Sequence, residues 1–171
     1  MIEKYENLIK LCEKEVYKVF YSLKKLLNLR KSGLNMKYKY LEHTADAKFI
    51  AFGRDIDEVF SNSALAMFNI LGDTTKVKVT KTKKIKLKAR SYESLLYDFL
   101  NELLFLLDTK DFFLKEVREI EINNKFELEA AVVGDNYKNY DLKSDIKAVT
   151  YNDMSIRKTN KGYEAVVVVD I

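Results

Sequence analysis

Apolar residues recur at three- and four-residue spacing through Tyr5, Leu8, Cys12, Val16, Val19, Leu23 and Leu26, with Lys and Glu between them. That spacing predicts an amphipathic helix, closed by Lys31-Ser32-Gly33. The pattern then changes. Tyr38–Leu41 and Lys48–Phe52 read as short strands around a turn. Asp55 with Glu58 three residues later is a helix-capping signal. Behind it Val59, Phe60, Ala64, Leu65, Met67, Phe68 and Leu71 form one helical face, ended by Gly72-Asp73. Thr75–Ala89, rich in β-branched residues and Lys, reads as a strand. Ser91 opens a second helix whose leucines run nearly all round it, which predicts deep burial. Strands are expected over Glu116–Ile122, Phe126–Val133, Asp141–Tyr151, Met154–Arg157 and Tyr163–Val169. Turns are expected at Asn123-Asn124, Gly134-Asp135 and Asn160-Lys161-Gly162. The order of elements predicts an α+β fold, a two-layer sandwich with two helices packed on a mostly antiparallel sheet. An N-terminal helix and linker (residues 1–35) would precede one domain (36–171).

Charge sharpens the division. Of the net +4, residues 1–35 hold eight Lys/Arg against four Asp/Glu, and the rest holds 22 of each. A neutral body excludes a bulk electrostatic nucleic-acid binder. Lys76 to Arg90 is a basic run with no acidic residue. Its alternation with Val77, Val79, Ile85 and Leu87 sets most of the charge on one strand face. A solvated edge strand guarded by lysine is the favoured reading, and a phosphate-contacting stripe the other. One cysteine in 171 residues, no apolar run near the roughly 20 residues of a membrane span, and charges from Glu3 onward lead us to expect a cytoplasmic protein.

Two places hold concentrated chemistry. Glu42-His43-Thr44-Ala45-Asp46, with the only histidine, groups carboxylate, imidazole and hydroxyl in a turn. Such a group binds a cation or moves a proton, although Thr44 and Asp46 could equally satisfy turn amides. The second place follows the apolar strand Tyr163–Val169, whose continuous valines suit a central position. It delivers Asp170 next to Ile171 and the terminal carboxylate. Adjacent anions need a cation or a buried donor, and hard oxygens favour Ca2+ or Mg2+. There is no Gly-rich phosphate loop, paired-histidine helix or nucleophile elbow.

Several stretches together resemble the archease family. They are Tyr40-Leu41-Glu42-His43-Thr44-Ala45-Asp46, Ala64–Phe68, Ser94–Leu104, Lys147-Ala148-Val149-Thr150-Tyr151, and Val168-Val169-Asp170-Ile171. The resemblance implies a fold related to the SHS2 modules. It also implies a non-enzymatic cofactor role toward the RtcB-type tRNA-splicing RNA ligase. That ligase joins 2′,3′-cyclic phosphate or 3′-phosphate ends to a 5′-hydroxyl. The cofactor would promote guanylylation of its active-site histidine and restore it for repeated turnover, meeting tRNA only through the ligase. By motif match the resemblance gives Asp46, Asp170 and an oxygen of Ile171 as ligands of a divalent cation, Ca2+ before Mg2+ or Mn2+. His43, Glu102 and Lys147 are supporting residues, Lys147 toward a phosphate or a ligase carboxylate. Asn152 stands where the family often has a histidine. A stand-alone metal-dependent phosphodiester hydrolase and a chaperone or adaptor for RNA-modifying enzymes are the alternatives. Oligomeric state is left open.

Overall fold

The computed structural model describes residues 36–41 and 46–171, and the helix expected before residue 36 lies outside them. Within Met36–Ile171, a single compact unit, seven strands and two α-helices follow one another. These are β1 (Tyr38–Leu41), β2 (Ala47–Gly53), α1 (Ile56–Leu71), β3 (Lys81–Lys88), α2 (Tyr92–Lys110), β4 (Phe112–Ile122), β5 (Glu127–Asn136), β6 (Ala148–Thr159) and β7 (Gly162–Asp170). The strands form two sheets rather than one, in the orders β1-β2-β7-β6 and β3-β5-β4, and every pairing is antiparallel. The expected α+β architecture holds, with two helices packed on antiparallel sheets. Among the described residues no helix is long and apolar enough to cross a membrane.

Both helices start where their caps dictate. The Asp55 side chain accepts from the Glu58 amide at 2.9 Å. Glu58 does not complete a reciprocal box. Its carboxylate turns outward, accepting from the Arg54 main-chain N–H at 2.8 Å and the Arg54 Nε at 2.7 Å. The full reciprocal box sits instead on α2, between Ser91 and Ser94. α1 packs its apolar face on β2 and β7 of one sheet and on β4 of the other, so it joins the two. α2 rests on β6, β4 and β3, with Leu95, Leu96, Phe99, Leu100 and Leu103 fully buried. One core holds Phe49, Phe60, Phe68, Phe99, Phe112 and Val167 together.

Four expectations need correction. Thr75–Ala89 is not one strand. Asp73 caps a 3-10 turn over Thr74–Lys76, Val77 drops into the core, and pairing begins only at Lys81. Asp141–Tyr151 is not a strand over its first seven residues, which hold no regular structure. The rest of that strand and the one expected over Met154–Arg157 are a single strand, β6, with a bulge between Thr150 and Ser155 where Asp153 takes a left-handed φ of 59°. Gly134-Asp135 is no turn, because β5 runs through it. Glycine is required there for space. A Cβ would stand 2.0 Å from the Phe113 carbonyl oxygen of β4.

Asp135 is buried beside that glycine and fully bonded. It accepts from the Thr80 hydroxyl, from the Tyr140 hydroxyl at 2.7 Å and from Asn139 Nδ2 at 3.1 Å. These donors, Thr80 foremost, hold its carboxyl well below the usual carboxylate range.

The basic run lands as an edge strand. β3 has β5 on one side only, and Lys86 and Lys88 pair with Glu129 and Glu127 across it at 2.6 and 2.7 Å. Both pairs are largely exposed, so they serve solubility and register more than stability.

Two outcomes follow from this packing. Gly134→Ala should destabilise the domain by about 1–3 kcal/mol, since the added methyl meets rigid backbone, and urea denaturation reads this directly. For Asp135 the folded pKa lies below the unfolded value of about 3.9, so its ionised form stabilises the fold above that pH and the contribution fades as pH falls below it. Asp135→Asn should therefore lower the urea midpoint at pH 7, with the gap to wild type narrowing below about pH 4. A gap that stays constant into acid would mean the charge is irrelevant there.

Candidate functional site

The central strand of the four-stranded sheet assembles the candidate residues. β7 lies between β2 and β6. On one side Ala47 pairs with Val169 and Lys48 with Val168. Asp46 is the bend residue immediately before β2 and Asp170 is the last residue of β7, so both stand at the end of the sheet where Ala47 pairs with Val169. On the other side Ala148 pairs with Asp170. The Lys147 main-chain N–H donates to the Asp170 carbonyl at 2.9 Å. Asp46, Asp170, Ile171 and Lys147 thus meet at one end of one sheet, although they are spread over 125 positions of chain.

Alternation decides where the carboxylates face. Phe49, Val167 and Val169 are fully buried in the core with the helices. Asp170 alternates with Val169, and Lys48 with Phe49, so both lie on the sheet face turned away from α1, with Asp46 in the bend just before β2. Like charges at one end of a sheet repel. A cation between them reverses the sign of that interaction. Both carboxylates are half-buried, with enough access for an ion to enter from solvent.

Two lysines border the pair. On that same face Lys48 reaches from β2 to Asp153 at 3.2 Å, so the bulge of β6 supplies its counter-ion. Lys147 sends its Nζ to the Ile171 main-chain oxygen at 2.9 Å. Neither contact was legible in advance. The signal for the first was Asn152-Asp153, since these residue types tolerate a left-handed backbone and mark a bulge inside a strand.

The other candidates stand apart. Glu42, His43, Thr44 and Ala45 lie outside the described residues. Glu102 is half-buried on α2. It lies outside the strand register that brings the rest together, and it makes no hydrogen bond or ion pair with them among the described residues. Asp98, four residues before it, is exposed. Among the described residues no group of three or more His, Cys, Asp or Glu side chains gathers as a metal cluster. The donor set that the family resemblance implies is two carboxylates and a main-chain oxygen. All are hard oxygen ligands of the kind Ca2+ and Mg2+ take, and they leave coordination positions for water or for another molecule. These residues fit a divalent cation.

Comparison with known proteins gives the family and the fold. The model of the Archease protein family matches residues 38–171. A protein archease of Methanosarcina barkeri is 43% identical over 145 residues, covering 82% of this chain and 99% of that one. The protein archease of Archaeoglobus fulgidus is 36% identical over 137 residues, covering 80% and 100%. The solution structure of Methanobacterium thermoautotrophicum protein 1598 superposes with a TM-score of 0.68 at 32% identity, covering 79% of this chain and 99% of that one. A Thermotoga maritima crystal structure, described as an archease and possible chaperone, shares the fold at a TM-score of 0.52 and 21% identity, covering 81% and 99%. The match runs from β1 through the strand that carries Asp170, and on it this chain belongs to the archease family.

Proposed function

We propose that this protein activates an RtcB-type tRNA-splicing RNA ligase, promoting its guanylylation and repeated turnover through a divalent cation, Ca2+ in first place. The observation that supports the reading is the pairing of β2 with β7, which brings Asp46, just before β2, and Asp170, at the end of β7, to one end of one sheet. Family membership supports the same role.

The chain's own residues do simple work in this scheme. Asp46 and Asp170 hold the ion from two strands, and the core packing of Phe49, Val167 and Val169 behind them keeps both backbones still. Bound there, the cation would supply Lewis acidity and orientation to a phosphate group of the ligase–nucleotide complex. The neutral body, with Lys86 and Lys88 of β3 paired to glutamates of β5, suits a protein that meets RNA through its partner rather than by itself. No turnover by the protein alone is part of the scheme, and its place would be the cytoplasm.

The test compares wild type with Asp46→Ala and Asp170→Asn in guanylylation and multiple-turnover ligation by the cognate ligase. Wild type should stimulate both, and each variant should lose most of that stimulation. In parallel, Ca2+ should raise the melting temperature of wild type and not of Asp170→Asn, because a ligand that binds only the folded state stabilises it. In chelator, Asp170→Asn should melt no lower than wild type, since one of two repelling charges is gone. Stimulation that survives both substitutions would refute the metal-end reading. Phosphodiester cleavage by the protein alone would replace it with the hydrolase, and suppression of aggregation independent of Asp46 would replace it with a chaperone.

A further inference from the structure

The Ile171 main-chain oxygen carries two claims at once. In the folded chain it accepts the Lys147 ammonium at 2.9 Å, and in the proposed metal site it is a ligand. An ammonium has three donors and no acceptor, so it can satisfy the oxygen but cannot share it comfortably with a divalent cation. We propose that Lys147 is an exchangeable internal cation. It holds the Ile171 oxygen when metal is absent. Metal entry expels it, and the released ammonium is then presented beside the ion to an anionic phosphate group. This inference rests on the metal reading above and adds to it a device within this chain.

The backbone makes such an exchange local. The Lys147 main-chain N–H is fixed to the Asp170 carbonyl at 2.9 Å, and the next residue, Ala148, pairs with Asp170 in register. The Cα therefore cannot retreat, and only the four-carbon stem can swing. Lys147 and Ile171 are both exposed, so the ammonium leaves for water rather than for a buried pocket. An exposed contact of this kind is weak, and a divalent ion competing for the same oxygen displaces it without unfolding anything. The neighbouring lysine does not take its place, because Lys48 is engaged by Asp153 at 3.2 Å. After exchange, a divalent ion and a lysine tethered one residue from β6 stand together at the sheet's end. Phosphate binding sites pair a point-charge lysine with a metal ion for the same reason, since both neutralise a spread anionic charge.

The experiment is a calorimetric Ca2+ titration of the full chain as wild type, Lys147→Met and Lys147→Arg, with Asp170→Asn as the control that lacks a ligand. Removing the competing ammonium should tighten Ca2+ binding roughly two- to tenfold in Lys147→Met, while Lys147→Arg stays close to wild type. As a second readout, amine acylation of Lys147, followed by peptide mass spectrometry, should speed up several-fold when Ca2+ is added to wild type and stay unchanged in Asp170→Asn. Equal or weaker Ca2+ binding by Lys147→Met would overturn the exchange and make Lys147 a clamp that shapes the site. Acylation that slows on adding Ca2+ would overturn it as well. If wild type itself bound no Ca2+, the metal reading would fall and this inference with it. Binding by wild type without tightening in Lys147→Met sinks the exchange alone.

Discussion

Everything at the candidate site depends on the register of β7. It is the one strand of its sheet's site-bearing end that is hydrogen-bonded on both sides by long partners, β2 and β6. Its inward residues, Val167 and Val169, have no solvent exposure. A slip of one residue would turn these valines outward and drive Asp170 toward the core. Burying a carboxylate without partners costs far more than burying a methyl group gains. The hydrophobic core thus fixes the position of a polar residue it never touches. Asp46 inherits the same constraint through Phe49, which is held in the same core at the next-but-one position of the same face as Ala47.

The remainder of the domain holds that strand still and satisfies its own charge. α1 packs against both sheets, so neither can shift without the other. In the second sheet Gly134 lets β4 and β5 approach, and the adjacent Asp135 ties β5 to Thr80 before β3 and to the Tyr137–Asn139 turn region through Asn139 and Tyr140. Its surface glutamates and lysines answer one another across β3 and β5. These two pairs lessen the positive field that the strand offers an incoming polyanion. Asp46 and Asp170 at the end of the other sheet set a negative field, which favours a cation.

Much of this was written in the sequence. The helical spacing of Val59 to Leu71 and the leucine-rich run after Ser91 gave both helices, and the unbroken valines before Asp170 marked a central strand. The basic alternation of Lys81–Lys88 gave an edge. What stayed hidden depended on distant partners. That Gly134 is a packing residue and not a turn depends on Phe113, twenty-one positions earlier. The merging of two short strands into β6 depends on a bulge at Asp153 whose side chain is drawn to Lys48. The split into two sheets likewise follows from which strands find each other, which no local pattern encodes. For the site, the residue types at Asp46 and Asp170 raised the suspicion of a cation and the family resemblance implied the ligand set, while only the pairing of β2 with β7 brings the ends that carry these two residues to one edge of the sheet.

An incomplete set of ligands is itself informative for the proposed role. Two carboxylates and one main-chain oxygen fill about three of the six to eight positions a calcium ion takes. A site meant only to brace the fold is usually closed by its own chain, as structural metal sites are. Here β2 and β6 are already hydrogen-bonded to β7 next to that end, through Ala47–Val169 and Ala148–Asp170. An ion placed there, at a sheet rim, would face outward with open positions, and Lys147 would guard the oxygen until the ion arrives. Such an arrangement does little for a protein acting alone. It suits one whose cation is to be completed by groups on a second molecule.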